Sequence, residues 1–208
     1  MKFKHMIFFL LRILAILVFI APVYASSQDV LANMIRGLAT LEADYNQNIY
    51  GRKGKLLNSN NGHFMFKSPN LLRWQNYNND KALTICDGSH IWQFEPDLDQ
   101  VIKTSIKDAE QESSLLLFIS DVAKLVKNND VTTESQFAKT IKFKLVPKDK
   151  RLSNMTITFD KGFPTKIEYA DKINNYTVIN FSKVEKNESI SEKWFTFVPQ
   201  ENIDIIEQ

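Results

Sequence analysis

The chain has 208 residues, 12% of them aromatic, a single cysteine and a formal net charge of +2 at pH 7. One cysteine excludes an internal disulfide, so the fold must rest on an apolar core. So small a net charge lacks the electrostatic footprint that nucleic-acid binding requires.

Residues 1–25 read as a secretory leader. Lys2, Lys4, His5 and Arg12 make a positive start, Ile13 to Ile20 an apolar run, and Val23-Tyr24-Ala25 a small-x-small cleavage site. A membrane anchor is the alternative, but Arg12 interrupts the apolar stretch and leaves it short for a bilayer. No cysteine follows the site, so the mature chain is not expected to be lipidated. Removal leaves 183 residues, 23 basic against 24 acidic, with eleven of the fifteen Phe and all three Trp. That is the size of one exported domain, residues 26–208.

Asp29 to Leu41 predicts a helix capped by Asp29, with Leu31, Met34, Ile35, Leu38 and Leu41 on one face. From Glu42 to Val101 the pattern turns to strands, broken at Gly51–Gly54, Asn58–Gly62 and Asn78–Asp80. Period-2 alternation sets Leu72, Trp74 and Asn76 on one face. Asp87-Gly88 signals a hairpin between Leu83–Cys86 and His90–Phe94, because Gly tolerates the positive φ of a tight turn. Cys86, inside a strand, reads as a small buried hydrophobe.

Ser113 or Ser114 can cap a second helix reaching Val126. In it Leu115, Phe118, Ile119, Val122 and Leu125 share a face with Leu116 and Leu117 beside it, and a break fits at Ser120-Asp121. That face is wider than a surface helix needs. Strands resume at Gln136 and include Ile141–Val146, Met155–Phe159, Thr165–Tyr169, Tyr176–Val184 and Trp194–Val198, joined by short turns such as Asp160-Lys161-Gly162. Short turns imply an antiparallel meander. About ten strands are too wide to lie flat. The predicted fold is therefore mainly β with a few helices: an incomplete antiparallel barrel, or half-barrel, with helices 29–41 and 113–126 laid over its mouth as a lid.

Catalytic signals are missing. After the leader only His63 and His90 remain, neither with a partner at metal-ligand spacing. There is no G-x-S-x-G elbow, phosphate loop or dinucleotide fingerprint, and Asp97 with Asp99 reads as a solvated turn. Neither an enzyme nor a resident cofactor or metal is expected.

A set of ordered motifs remains. These are Ala43-x-Tyr45-x-Gln47, Lys67-Ser68-Pro69-Asn70, Arg73-Trp74, Asp87-Gly88, Trp92-x-Phe94-x-Pro96, Gln100-Val101, Phe143-x-Leu145-x-Pro147 and Phe195-Thr196-Phe197-x-Pro199. In order and spacing the chain resembles the periplasmic outer-membrane lipoprotein carriers, the LolA family, from about Asp29 to its end. The resemblance implies an open half-barrel with a helical lid over an apolar cavity. It also implies a monomeric periplasmic shuttle that takes acylated lipoproteins from an inner-membrane ABC transporter toward the outer membrane, with or without a receptor there. The expected lipid-binding residues are Leu72, Trp74, Trp92 and Phe94 on strands, Phe143 and Leu145 on the opposite wall, and Leu115, Leu116, Phe118, Ile119 and Val122 on the lid. Each can equally be plain core.

The family's Arg before Pro, which latches the lid in relatives, is Ser68 here. A Ser hydroxyl lacks the reach and the five donors of a guanidinium. Lys67 is the candidate substitute, since alternation turns Arg73 away from Leu72 and Trp74. A LolB-type receptor or a periplasmic lipid or stress sensor on the same fold are the alternatives; the first lacks its lipidated cysteine here, the second its partner-binding domain.

Overall fold

A computed structural model of the chain describes residues 25–78, 81–110, 121–170, 173–199 and 203–208. Helix α1 (Ser27–Arg36) begins at Ser26 rather than at Asp29. Ser26 Oγ accepts the Asp29 N–H at 3.1 Å and donates to Asp29 Oδ2 at 2.7 Å, so Asp29 closes the cap from the third helical position. The helix stops five residues short of the expected Leu41 because Gly37 ends it and the Asn187 side chain binds the exit, accepting from Ala39 N and donating to Gly37 O. Leu38 and Leu41 are buried all the same, from the turn and from the first strand.

Six strands follow as a meander: β1 (Thr40–Tyr50), β2 (Leu56–Lys67), β3 (Leu71–Asn76), β4 (Leu83–Asp87), β5 (His90–Glu95) and β6 (Gln100–Ser105). Helices α2 (Ile106–Glu110) and α3 (Val122–Asn128) come next. Asp121 caps α3 by accepting the Lys124 N–H at 2.9 Å, at the break foreseen in the sequence. Residues 111–120, with Leu115, Leu116, Phe118 and Ile119, lie outside the described residues.

A second meander contains β7 (Asn129–Phe137), β8 (Thr140–Pro147), β9 (Met155–Asp160), β10 (Phe163–Ala170) and β11 (Tyr176–Lys186). Strand β7 starts seven residues before Gln136, directly from α3, whose end falls at the Asn128-Asn129-Asp130 run as its turn chemistry predicts. At the β9–β10 hairpin Lys161 and Gly162 both have positive φ, 51° and 81°, the backbone that a tight two-residue turn demands.

Strand β11 runs back along β1, from Leu41↔Lys186 to Tyr50↔Tyr176, and this seam fuses the two meanders. With a short C-terminal strand, β12 (Asp204–Glu207), the described residues form one twelve-stranded sheet in the order β12-β6-β5-β4-β3-β2-β1-β11-β10-β9-β8-β7. Its ends, β7 and β12, are not paired with each other, so the sheet is open, and twist coils a sheet this wide. Strand β12, unforeseen in the sequence, is parallel to β6. The expected strand Trp194–Val198 is instead a 3-10 turn, Glu192–Phe195, followed by a segment outside the sheet.

One face of the sheet turns toward the helices. From α1, Leu31 and Ile35 are buried, and Leu125 is buried from α3, all in one cluster with Phe66, Leu72, Phe143, Ile157, Ile167 and Ile179 from the sheet. The two helices are joined to the β7 edge by polar contacts. Gln28 Nε2 donates to Val126 O and Asn129 O, and Thr133 N donates to Ser27 Oγ at 3.1 Å.

The other face is polar around Glu168, which is only 8% exposed. Its carboxylate accepts from Lys166 at 2.7 Å, Tyr176 Oη at 2.8 Å, Thr156 Oγ1 at 3.1 Å and Lys142 at 3.3 Å. Burial alone would raise its pKa, but those donors outweigh it and bring the group from 4.5 down to about 2. Tyr176 moves the other way, up to about 12, through burial and its bond to that carboxylate.

These contacts can be tested by titration and by substitution. A depressed carboxylate stabilises the fold above its unfolded pKa and loses that contribution as pH falls through the folded one. Glu168→Gln is therefore expected to cost on the order of 1–3 kcal/mol at neutral pH in denaturant titrations. The gap to the wild type should close between pH 4.5 and about 2. A second expectation concerns Gly62, which faces Tyr45 across β1 and β2. A Cβ there would lie 1.9 Å from Gln75 O and 2.8 Å from Tyr45 Oη. Gly62→Ala should cost about 1–3 kcal/mol in the same assay. Gly37→Ala, whose Cβ meets neighbours only at 3.4 Å, should stay near the wild type.

Candidate functional site

Ladder register decides which side chains can meet. Leu72 faces Phe66 on β2 and Cys86 on β4, and Cys86 in turn faces Ile91 on β5. One strand position along, Trp74 faces Phe64, which faces Ala43. On the far side of the seam Phe143 faces Ile157, which faces Ile167, which faces Ile179. These rows all lie on the helix-covered face and share one apolar cluster, with Trp74 and Val122 partly buried against it. Leu72, Trp74, Phe143, Leu145 and Val122 are thus brought together.

Aromatic rings occupy the middle of this face. The Tyr45 and Trp74 centroids are 4.5 Å apart, Phe64 meets Trp74 edge-on at 5.3 Å, and Phe181 lies 5.4 Å from Phe64. Rings packed in tilted and edge-on pairs gain beyond their buried area. The Tyr45 hydroxyl donates to Asn76 Oδ1, which satisfies a polar group at the rim of an otherwise apolar surface. Cys86 is buried in the same cluster, its Sγ donating to Asn70 O at 2.9 Å. Every side chain in the rows just named is uncharged. Rows of this kind can hold apolar matter by area alone and offer no charge with which to orient a polar ligand.

Trp92 and Phe94 do not join it. The turn between β4 and β5 is even in length, so Cys86 takes Ile91 as partner and Ile85 takes Trp92. Trp92 therefore stands on the outer face with Arg73 and Ile85, opposite to Leu72 and Trp74. There it stacks on Phe197 at 5.4 Å, while Phe94 meets the same ring at 6.3 Å. Its Nε1 donates to Asp87 Oδ2 at 2.7 Å, and Lys103 Nζ sits 5.2 Å from its ring. Asp87 also accepts the Ser89 and His90 N–H groups at 2.8 Å. Burial pushes the Asp87 carboxyl up, but these donors outweigh it and hold it below its ordinary value. The chain from Ile190 to Phe197 is thus a strap over an outer apolar patch, and Trp92 and Phe94, expected beside Leu72 on the inner face, lie on the opposite one.

The two latch candidates also point elsewhere. Lys67 Nζ binds Glu192 Oε1 at 2.8 Å and Ile190 O at 3.5 Å, both in the C-terminal strap. Ser68 is exposed in the β2–β3 turn, its backbone N–H donating to Ala39 O at 2.8 Å. Arg73 donates to Trp194 O and Gln75 Oε1, again on the outer face. Sequence reasoning missed Phe64, Phe66, Ile179 and Phe181 as members of the inner surface. The alternation of buried positions along β2 and β11 was the signal that would have found them. Among the described residues no group of His, Cys, Asp and Glu is gathered to hold a metal ion.

Comparison with known proteins adds to this geometry. The outer-membrane lipoprotein carrier protein of Xylella fastidiosa strain Temecula1 is 29% identical, the match covering 99% of this chain and 96% of that one. Its namesake from Xanthomonas campestris pv. campestris strain B100 is 27% identical over 93% of this chain and 94% of its own. The crystal structure of an uncharacterized conserved protein from Thermus thermophilus shares the fold, with a TM-score of 0.57 at 10% identity over 88% of this chain and 100% of that one. The family described as outer membrane lipoprotein carrier protein LolA matches residues 36–198. This chain belongs to the LolA family.

Proposed function

We propose that this protein is a lipoprotein carrier whose inner face receives the acyl chains of its cargo. The observation that carries the reading is the continuous apolar surface shared by the sheet and by helices α1 and α3. Each acyl CH₂ left in water costs about 0.8 kcal/mol, so a lipid anchor with several chains cannot cross an aqueous compartment unshielded. A surface without directional groups covers such chains whatever their register, and it releases them without breaking hydrogen bonds. Family membership and the names of the relatives support the same role.

In this reading residues 1–25 direct export and are removed, and residues 26–208 work as a monomer in the periplasm. Cargo arrives from an inner-membrane ABC transporter and leaves at the outer membrane. Leu72, Trp74, Phe143, Leu145 and Val122 contact the chains as the helices part from the sheet, together with Leu115, Leu116, Phe118 and Ile119 of the lid. Role and chemistry are those of a binder, not an enzyme. With Ser68 in the latch position, apolar contact holds the lid, and it opens readily.

Incubation with membranes carrying lipoprotein and their transporter is expected to yield a soluble one-to-one complex of carrier and cargo. Val122→Glu, a charge placed on the partly buried flank of α3, should lower the yield at least tenfold, since a charge set against an apolar cluster costs free energy that a lipid chain does not offset. No soluble complex, or an unaffected variant of native stability, contradicts the proposal. Ser68→Arg tests the latch separately: release to acceptor membranes should slow, and an unchanged release rate removes the latch from the account.

A further inference from the structure

The hairpin between β1 and β2 has the sequence Gly51-Arg52-Lys53-Gly54-Lys55-Leu56-Leu57, three cations next to two leucines. All three cations are exposed, and Leu56 and Leu57 are 48% and 54% exposed. The connection between β10 and β11 emerges beside it, because Tyr50 at the end of β1 faces both Leu56 and Tyr176. Arg52 Nε donates to Ile173 O at 2.9 Å and ties the two tips together. Ile173 is itself 63% exposed, whereas the Tyr176 hydroxyl turns back to Glu168. Between Tyr45 and Asn79 the sequence contains no carboxylate, and Asp171 is followed in the sequence by Lys172. The two tips thus combine three exposed cations with three protruding aliphatic side chains.

We propose that these two tips are a docking surface for an anionic phospholipid bilayer. Apolar side chains gain by entering the headgroup boundary, and cations beside them gain from the lipid phosphates and the negative surface potential. Leu56, Leu57 and Ile173 enter the boundary; Arg52, Lys53 and Lys55 stay at phosphate level. Tyr45 on β1, Phe64 on β2 and Phe181 on β11 lie further along the same strands, so docking brings the apolar face to the membrane by its end. The inference goes beyond the carrier role and stands without it, since bilayer binding needs no cargo.

Vesicle co-sedimentation of the protein starting at Ser26, which carries the whole described fold without the apolar leader, tests it. Binding is expected to vesicles of phosphatidylcholine mixed with phosphatidylglycerol, to weaken as salt is raised, and to be much lower on phosphatidylcholine alone. Each cation near such a surface is worth about fivefold, so the triple variant Arg52→Gln, Lys53→Gln, Lys55→Gln should bind on the order of a hundredfold less tightly. Leu56→Ser with Leu57→Ser should lose about tenfold. All these positions are exposed, and unchanged circular dichroism checks that the variants are folded. Equal binding to neutral and anionic vesicles, no binding to either, or variants that bind like the parent would overturn the proposal; the last two outcomes point to a protein partner for the tips.

Discussion

Everything in this molecule depends on keeping water away from one apolar surface built in two parts. Alternate residues of the central strands supply the larger part, and one side each of α1 and α3 supplies the smaller. Neither part is stable alone. An amphipathic helix of ten residues is marginal in water, and a sheet with a row such as Phe143, Ile157, Ile167 and Ile179 on one face must cover it. The free energy that holds the lid on the sheet is therefore of the same kind, area removed from water, as the free energy a lipid chain would supply in its place. Exchange between lid and lipid can be close to balanced for that reason.

The outer face shows the opposite economy. Its charges are matched in local sets: Glu168 with Lys142, Lys166 and Tyr176, and Asp44 with Lys183 and His63. An apolar region there, Ile85, Trp92, Phe94 and Val101, is closed by Phe195 and Phe197 from the C-terminal strap, with Arg73 5.8 Å from the Trp194 ring. The strap is anchored by Lys67 to Glu192 and by β12 against β6. This face is thus closed by directional bonds as well as by area, whereas α1 and α3 meet the inner face through apolar contact and are tied mainly to each other and to the β7 edge.

Much of this was legible in the sequence because alternation within a strand is a strong signal. Leu72 and Trp74 on one face, Arg73 on the other, a capped helix break at Asp121 and a positive-φ hairpin at Lys161-Gly162 all follow from spacing and turn chemistry. Alternation fixes relative phase within a strand but not which face is inner. At Trp92 the aromatic content suggested the inner face, yet parity across the Asp87-Gly88 turn sends Trp92 outward. The strap deceived in a related way: Phe195 and Phe197 alternate because an extended segment lies on a sheet, not because it is a strand within one. Strand β7 was hidden because its exposed positions, Thr132 to Phe137, carry no apolar period.

The most direct test of the account is hydrogen–deuterium exchange of the carrier with and without bound lipoprotein. Amides in Ser27–Arg36 and Val122–Asn128 should exchange faster in the loaded protein, while those of β1, β2 and β11 keep their protection. Unchanged helices, or a loosened central seam beneath helices that stay docked, would contradict the idea that lid and lipid compete for one surface.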